Sequence, residues 1–276
     1  GQTILGSKHI VGPGGKGSNQ AIAAAKLKGK VNFITKIGND KNGEMALNLY
    51  KSLGMDIASI IKDKNNSTGV AGIMVNEKTG DNAINIIPGA AGTLTNDDIE
   101  KNLNFIANTD IFLTQLETPY DVTKYALTKA KENKLTTILN PAPACQINDD
   151  DFKLIDFFTP NETEAEFYLN KKIETEKDIK IASEEFLKKG TKNVVITLGE
   201  KGCYFANNKE NFFMDAFKFK EPVLDTTGAG DAFNGALAVG LSKDLDIKEV
   251  LTFANKLQQF QPQNKVQLPQ CHQWKI

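Results

Sequence analysis

From about residue 95 to residue 200 the chain alternates between two textures, and that alternation limits the folds open to it. Apolar residues at helical spacing (Ile99, Leu103 and Ile106; Val122, Ala126 and Ala130; Ile179, Phe186 and Leu187) are interleaved with the short strand-like runs DIFLTQLE, LTTILN, IDFFTPN and NVVITL. Strands and helices in this order predict a mostly parallel central sheet with helices on both faces, an α/β fold. The N-terminal part fits. SNQAIAAAKLK (18–28) is Ala-rich with a Ser cap and Gly29 past its end, VNFITKI (31–37) reads as a strand, and Met45, Leu49 and Leu53 before Gly54 mark a second helix. Residues 68–90 break the rhythm: VAGIMV and NAINII flank the turn signal NEKTGD, which predicts a β-hairpin beside the sheet, a small lid. No repeat or linker intervenes, so one domain is expected over residues 1–256.

The 33 basic and 34 acidic residues of this 276-residue chain are mixed, giving a net charge of −1. That balance argues against nucleic acid or a membrane surface as partner. No run approaches the ~18 apolar residues of a membrane span, and GQTILGSK lacks the features of a signal peptide, so a cytoplasmic protein is expected. Cys145, Cys203 and Cys271 lack paired CxxC spacing and read as incidental thiols. All the basic residues are Lys, which fits an AT-rich gene.

In open α/β sheets ligands lie beyond the carboxyl ends of the strands, and the Gly-rich loops of this chain gather there. In DTTGAGDAFNGALAVGL (225–241), Gly228 and Gly230 allow a tight turn into a helix whose first N–H groups can hold an anion. Asp231 falls in that first turn. It either complements the helix dipole or takes a proton from a substrate hydroxyl while the N–H groups hold a phosphoryl group. GPGGKGSNQ (12–20) is neither a Walker A loop nor a GxGxxG fingerprint. It is either a structural turn or a hydroxyl-binding loop with Lys16 and Asn19 as polar handles. QLE (115–117), NPAPA (140–144), TPNETEAE (159–166) and TLGEKG (197–202) end four further strands.

Taken in order, GGKGSNQA, NPAPA, TPNETEAE, TLGEKG and DTTGAGDAFNGAL resemble the ribokinase-like (PfkB) family of sugar kinases, from Gly1 to about Lys256. DTTGAGD marks the wider family, and GGKGxNQA with NPAPA points to its ribokinase branch. The resemblance implies ATP-dependent phosphorylation of D-ribose at O5, with Mg²⁺ and with activation by K⁺. Asp231 matches the catalytic base, and Gly228, Ala229 and Gly230 the anion hole. Gly15, Lys16, Gly17, Ser18, Asn19 and Glu117 match ribose-contacting positions. Asn161 and Glu164 match an NxxE motif that organises Mg²⁺ and phosphate, Asn161 also lying at the nucleotide. Thr197, Leu198, Gly199, Glu200, Lys201 and Gly202 match the ATP loop, joined by Gly230 and Asp231, and Asn255 matches an adenine-side contact. Asp225 and Thr227 match part of a K⁺ site. A homodimer through the lid is also implied. Another kinase of the family, acting on deoxyribose or a nucleoside, and a non-catalytic remnant are the competing readings.

Two departures from the family pattern accompany the resemblance. The chain begins within the lid strand expected near residues 1–14, without the family's first strand and Asn-x-Asp sugar clamp, so weak sugar affinity is expected. Residues 257–276 are Gln-rich and lack helical period, and are expected to be poorly ordered. A shifted reading frame accounts for that tail: Gln259–Phe260 then yields only Ile or Val, and Trp274–Lys275 only Glu. A divergent tail is the alternative.

Overall fold

The computed structural model describes residues 6–7, 9–76, 82–217 and 228–260. Its centre is a six-stranded sheet built from β5 (Ile111–Thr114), β6 (Thr136–Leu139), β7 (Phe157–Phe158), β8 (Asn193–Thr197), β9 (Cys203–Asn207) and β10 (Asn211–Met214), in spatial order 10-9-8-7-6-5. Pairs from β5 to β8 are parallel, as the alternation predicts. The β8–β9 and β9–β10 pairs are antiparallel. The β9–β10 turn is closed by Asn207, whose Oδ1 accepts from the N–H groups of Lys209 and Glu210. β1 (Thr35–Gly38) and β2 (Ile60–Asp63) form a separate parallel pair.

Alternate side chains of each strand enter opposite layers, as the two-residue period of a strand requires. Leu139, Phe158, Val194, Ile196 and Tyr204 point into one core with residues of α5 (Tyr120–Glu132), α6 (Glu162–Leu169) and α7 (Glu176–Lys188). Ile138, Phe157, Val195, Cys203 and Phe205 point into the other, against α1 (Lys16–Lys26), α8 (Ala229–Leu241) and α9 (Ile247–Phe260). Phe152, Phe158 and Phe186 are each almost fully buried and pack ring to ring. Truncating Phe186 to Ala would cost about 3–5 kcal/mol at such a site.

Helix boundaries show where tertiary contacts override local signals. α1 begins at Lys16, two residues ahead of the Ser expected to cap it, because the Glu117 carboxylate accepts the Lys16 N–H at 2.7 Å. Ser18 is instead buried inside the helix, accepting a hydrogen bond from Tyr50 of α2 (Lys41–Ser52). The single helix expected through Ile99, Leu103 and Ile106 is two short ones, α3 (Asn96–Glu100) and α4 (Leu103–Ala107). They break at Asn102, whose side chain donates to the Asp98 carbonyl.

The lid is β3 (Thr68–Val75) paired antiparallel with β4 (Asn82–Gly89), as the sequence predicts. Its partner strand expected near residues 1–14 does not form between His9 and Gly14, where Pro13 offers no N–H for a ladder. Residues 1–5 lie outside the described residues. The tail reading also needs correction at its start. α9 runs to Phe260, and Leu257 packs on the α8–α9 core because it extends the apolar face of Val250, Leu251 and Ala254. Residues 261–276 lie outside the described residues. No helix among the described residues is long and apolar enough to cross a membrane.

Candidate active site

The carboxyl ends of β5, β6, β7 and β8 carry Gln115 and Glu117, Asn140, Thr159 to Asn161, and Thr197. The N-terminal turns of α1 and α8 join this row. α8 starts after Gly228, which adopts φ 78°, a left-handed conformation that glycine reaches without strain. The first helical N–H bond of α8 is Ala232 to the Gly228 carbonyl, so the N–H groups ahead of it lack helical acceptors. A Cβ at Gly230 would meet no atom of the described residues within 4 Å. Among the described residues the glycine therefore opens onto clear space at a helix start, a geometry suited to an anion.

Asp231 lies beside that opening yet is only 6% exposed. Its Oδ2 accepts from Asn19 Nδ2 at 2.8 Å, and its Oδ1 accepts from Gln20 Nε2 at 3.0 Å. Burial pushes its pKa up, opposed by the Asn19 and Gln20 hydrogen bonds and by the charge of Lys16. A buried carboxylate held charged by two amides and a cation is a competent proton acceptor. Glu117 is also raised, first by burial, against the Lys16 N–H bond and the Lys16 charge; the Asp231 charge raises it further. Lys16, Asn19, Glu117 and Asp231 thus share one electrostatic neighbourhood. Ser18 does not turn its side chain to it.

On the other flank, Asn161 caps α6. Its Oδ1 accepts the Glu164 N–H at 2.7 Å, and Glu164 Oε2 accepts the Asn161 N–H at 2.9 Å, a reciprocal capping box. The NxxE spacing therefore has a structural role that needs no ligand. Asn161 also bridges to Thr197, bringing two expected nucleotide positions together. Gly199, Glu200 and Lys201 form a short 3₁₀ turn closed by the Leu198 N–H bond to Gly202, and Leu198 itself packs in the core. Asn255 lines a recess of about 260 Å³ together with Met214, Phe217, Thr252 and Lys256. Its Nδ2 donates to Cys203 Sγ, while its buried Oδ1 has no partner among the described residues. Asp225 and Thr227 lie outside the described residues.

A model of the pfkB family of carbohydrate kinases matches residues 1–264. The chain belongs to that family. Within it, a ribokinase of Staphylococcus aureus is 40% identical over 244 residues, spanning 88% of this chain and 79% of that protein. A deoxyribokinase of Salmonella typhi is 35% identical, spanning 86% and 77%. The structure of an Arabidopsis thaliana ribokinase complexed with ribose and ATP superposes with a TM-score of 0.87 at 28% identity, covering 96% of this chain and 86% of that one. The chain is thus a sugar kinase of the pfkB type.

Sequence reasoning missed the amides behind Asp231. Gln20, Gln115, Asn140 and Asn234 stand in motifs that the sequence made conspicuous, GSNQ, QLE, NPAPA and DAFNGAL, but nothing in those motifs shows that they meet.

Proposed function

We propose that this pfkB-family kinase transfers the terminal phosphoryl group of ATP to O5 of D-ribose, giving ribose 5-phosphate and ADP. The observation that carries this reading is the buried Asp231 carboxylate, held by Asn19 and Gln20 in the first turn of α8 beside the open space at Gly230. Asp231 takes the proton of the sugar hydroxyl as its oxygen bonds to the terminal phosphorus. The bond from that phosphorus to its bridging oxygen breaks, and ADP leaves with the electron pair. The N–H groups of Gly228, Ala229 and Gly230 supply the anion hole for the transferring group, where developing charge is stabilised most. Gly15, Lys16, Gly17, Asn19 and Glu117 hold the sugar. Asn161, the Thr197–Gly202 loop and Asn255 hold the nucleotide, Asn255 on the adenine side.

Mg²⁺ would be held near Glu164, whose carboxyl is pushed up by burial and so is a group that a cation stabilises in its charged form. When bound, Mg²⁺ neutralises phosphate charge. K⁺ activation through Asp225 and Thr227 is proposed from the family resemblance.

The deoxyribokinase relative favours deoxyribose as the second reading of the sugar site. ADP release measured with a panel of pentoses and nucleosides separates the two. Asp231→Asn should lower turnover about 10²- to 10⁴-fold with nucleotide affinity nearly unchanged. Near-normal turnover in the folded variant would overturn the assignment of the base, and a folded wild-type chain that binds nucleotide without turnover would make it a non-catalytic remnant.

The lid hairpin supports pairing of two copies. Ile73, Ile84 and Ile86, which share one face of the hairpin, are each more than half exposed, an apolar surface that a second lid would cover.

A further inference from the structure

Behind the Asp231 carboxylate runs a chain of amides, buried at Gln20 and Asn140 and half-buried at Gln115, whose direction is set by a backbone carbonyl. Asn140 Nδ2 donates to the Thr159 carbonyl at 3.0 Å, which turns Asn140 Oδ1 toward Gln20. Gln20 Nε2 donates to that oxygen at 3.0 Å and to Asp231 Oδ1 at 3.0 Å, using both of its protons. Gln20 Oε1 accepts from Gln115 Nε2. A flipped Gln20 amide would set its oxygen against two acceptors, so its orientation follows from a main-chain group that cannot flip. On the far side of the same turn, Thr159 Oγ1 donates to Asn234 Oδ1 at 2.7 Å and Asn234 Nδ2 donates to the Gly230 carbonyl at 2.9 Å. Gln20 and Asn234 are each 1% exposed.

We propose that Gln20 is a positioning residue for phosphoryl transfer, locking the Asp231 carboxylate through amides anchored at the ends of β5 and β6. The inference rests on the reading of Asp231 as the base. Of the two amides on this carboxylate, Asn19 is half-buried at the cleft, whereas Gln20 is sealed behind it and held by two further partners, Asn140 and Gln115. Gln20 reaches no open space and so does not contact substrate. Its effect is on where the carboxylate points and how readily it stays charged. The charged groups facing Asp231 are Lys16 from α1, Glu117 from the loop after β5 and Glu164 from α6. Losing the Gln20 donor leaves the two neighbouring carboxylates opposed by Lys16 and Asn19 alone.

The test is steady-state kinetics across pH on Gln20→Met and Gln20→Glu, with Asp231→Asn as control and near-UV circular dichroism to confirm folding. Gln20→Met should lower kcat about 10- to 100-fold, the effect of a misplaced reacting group. KM for sugar and nucleotide should stay within a few-fold, and the acid limb of the kcat profile should move to higher pH. Gln20→Glu should be worse, since it sets a second carboxylate against Asp231. If Gln20 variants do not fold, Gln115→Leu, which removes the partner of Gln20 Oε1 only, should give a smaller kcat loss with a smaller shift of the acid limb in the same direction. An unmoved acid limb in a folded Gln20→Met or Gln115→Leu chain, with Asp231→Asn inactive, overturns this inference and leaves the base intact. Near-normal turnover of Asp231→Asn overturns both.

Discussion

Gly235 of α8 lies against Ala23 of α1 so closely that a Cβ on the glycine would stand 2.7 Å from the alanine Cβ and 2.7 Å from the Gln20 carbonyl oxygen. This contact is one turn beyond Asp231 and sets the distance between the two helices whose first turns form the site. Gly235→Ala should push them apart, costing about 1–3 kcal/mol of stability through overpacking. It should also lower kcat by more than tenfold, because Asn19 and Gln20 move away from Asp231. Thermal unfolding and turnover measured on the same preparation check this, and an active variant of unchanged stability would show that the helices can adjust.

Glu117 and Lys16 should not be equivalent. The Lys16 contact to Glu117 is made by its backbone N–H, which Lys16→Ala preserves, whereas Glu117→Ala leaves that N–H without its carboxylate. Glu117→Ala should therefore weaken sugar binding by about 1–3 kcal/mol and loosen the start of α1. Lys16→Ala should lose less sugar affinity. Calorimetric titration with ribose, in each variant and with ATP as reference, decides the order; equal losses would place the Lys16 side chain on the sugar.

Asp63 predicts an acid-sensitive turn at the root of the lid. It accepts from the N–H groups of Asn65 and Asn66, from the Asn66 side chain and from Thr93, with Lys36 at 3.6 Å. These bonds, the Asn65 N–H foremost, lower its pKa from 3.8 to about 2. Between those values the unfolded chain binds more protons, so this contribution is present above pH 3.8 and is lost as pH falls toward 2. Asp63→Asn should flatten the stability loss in that window in urea unfolding measured from pH 5 to 2. An unchanged slope would remove Asp63 from the acid response.

The exposed lid should make the chain dimeric. Ile73→Glu places a charge beside Ile84, its cross-strand partner, on one face of the hairpin. It should convert a dimer to a monomer in analytical ultracentrifugation while leaving the fold intact. A wild-type monomer at micromolar concentration would overturn the pairing.

The alternation of helical and strand periods determined the layered α/β fold, and NEKTGD between two apolar runs determined the lid. Those features depend on short-range regularities, which a sequence displays directly. The Gly-rich loops likewise mark which ends of the strands carry the site. Local signals failed where a distant group competed with them. Glu117, 101 residues from Lys16, moved the start of α1, and Tyr50 drew Ser18 away from the cleft. Two short turns made one edge of the sheet antiparallel, because the Leu198–Gly202 turn between β8 and β9 and the Asn207 turn between β9 and β10 are both too short for a helical crossover. The partners of Asp231 were decided only in three dimensions. Asn19 and Gln20 lie 212 and 211 residues away, and Asn140 lies 120 residues from Gln20. An amide carries no periodic signature, so whether it solvates a loop or orients a base depends on which helices pack together, and here that is set at Gly235.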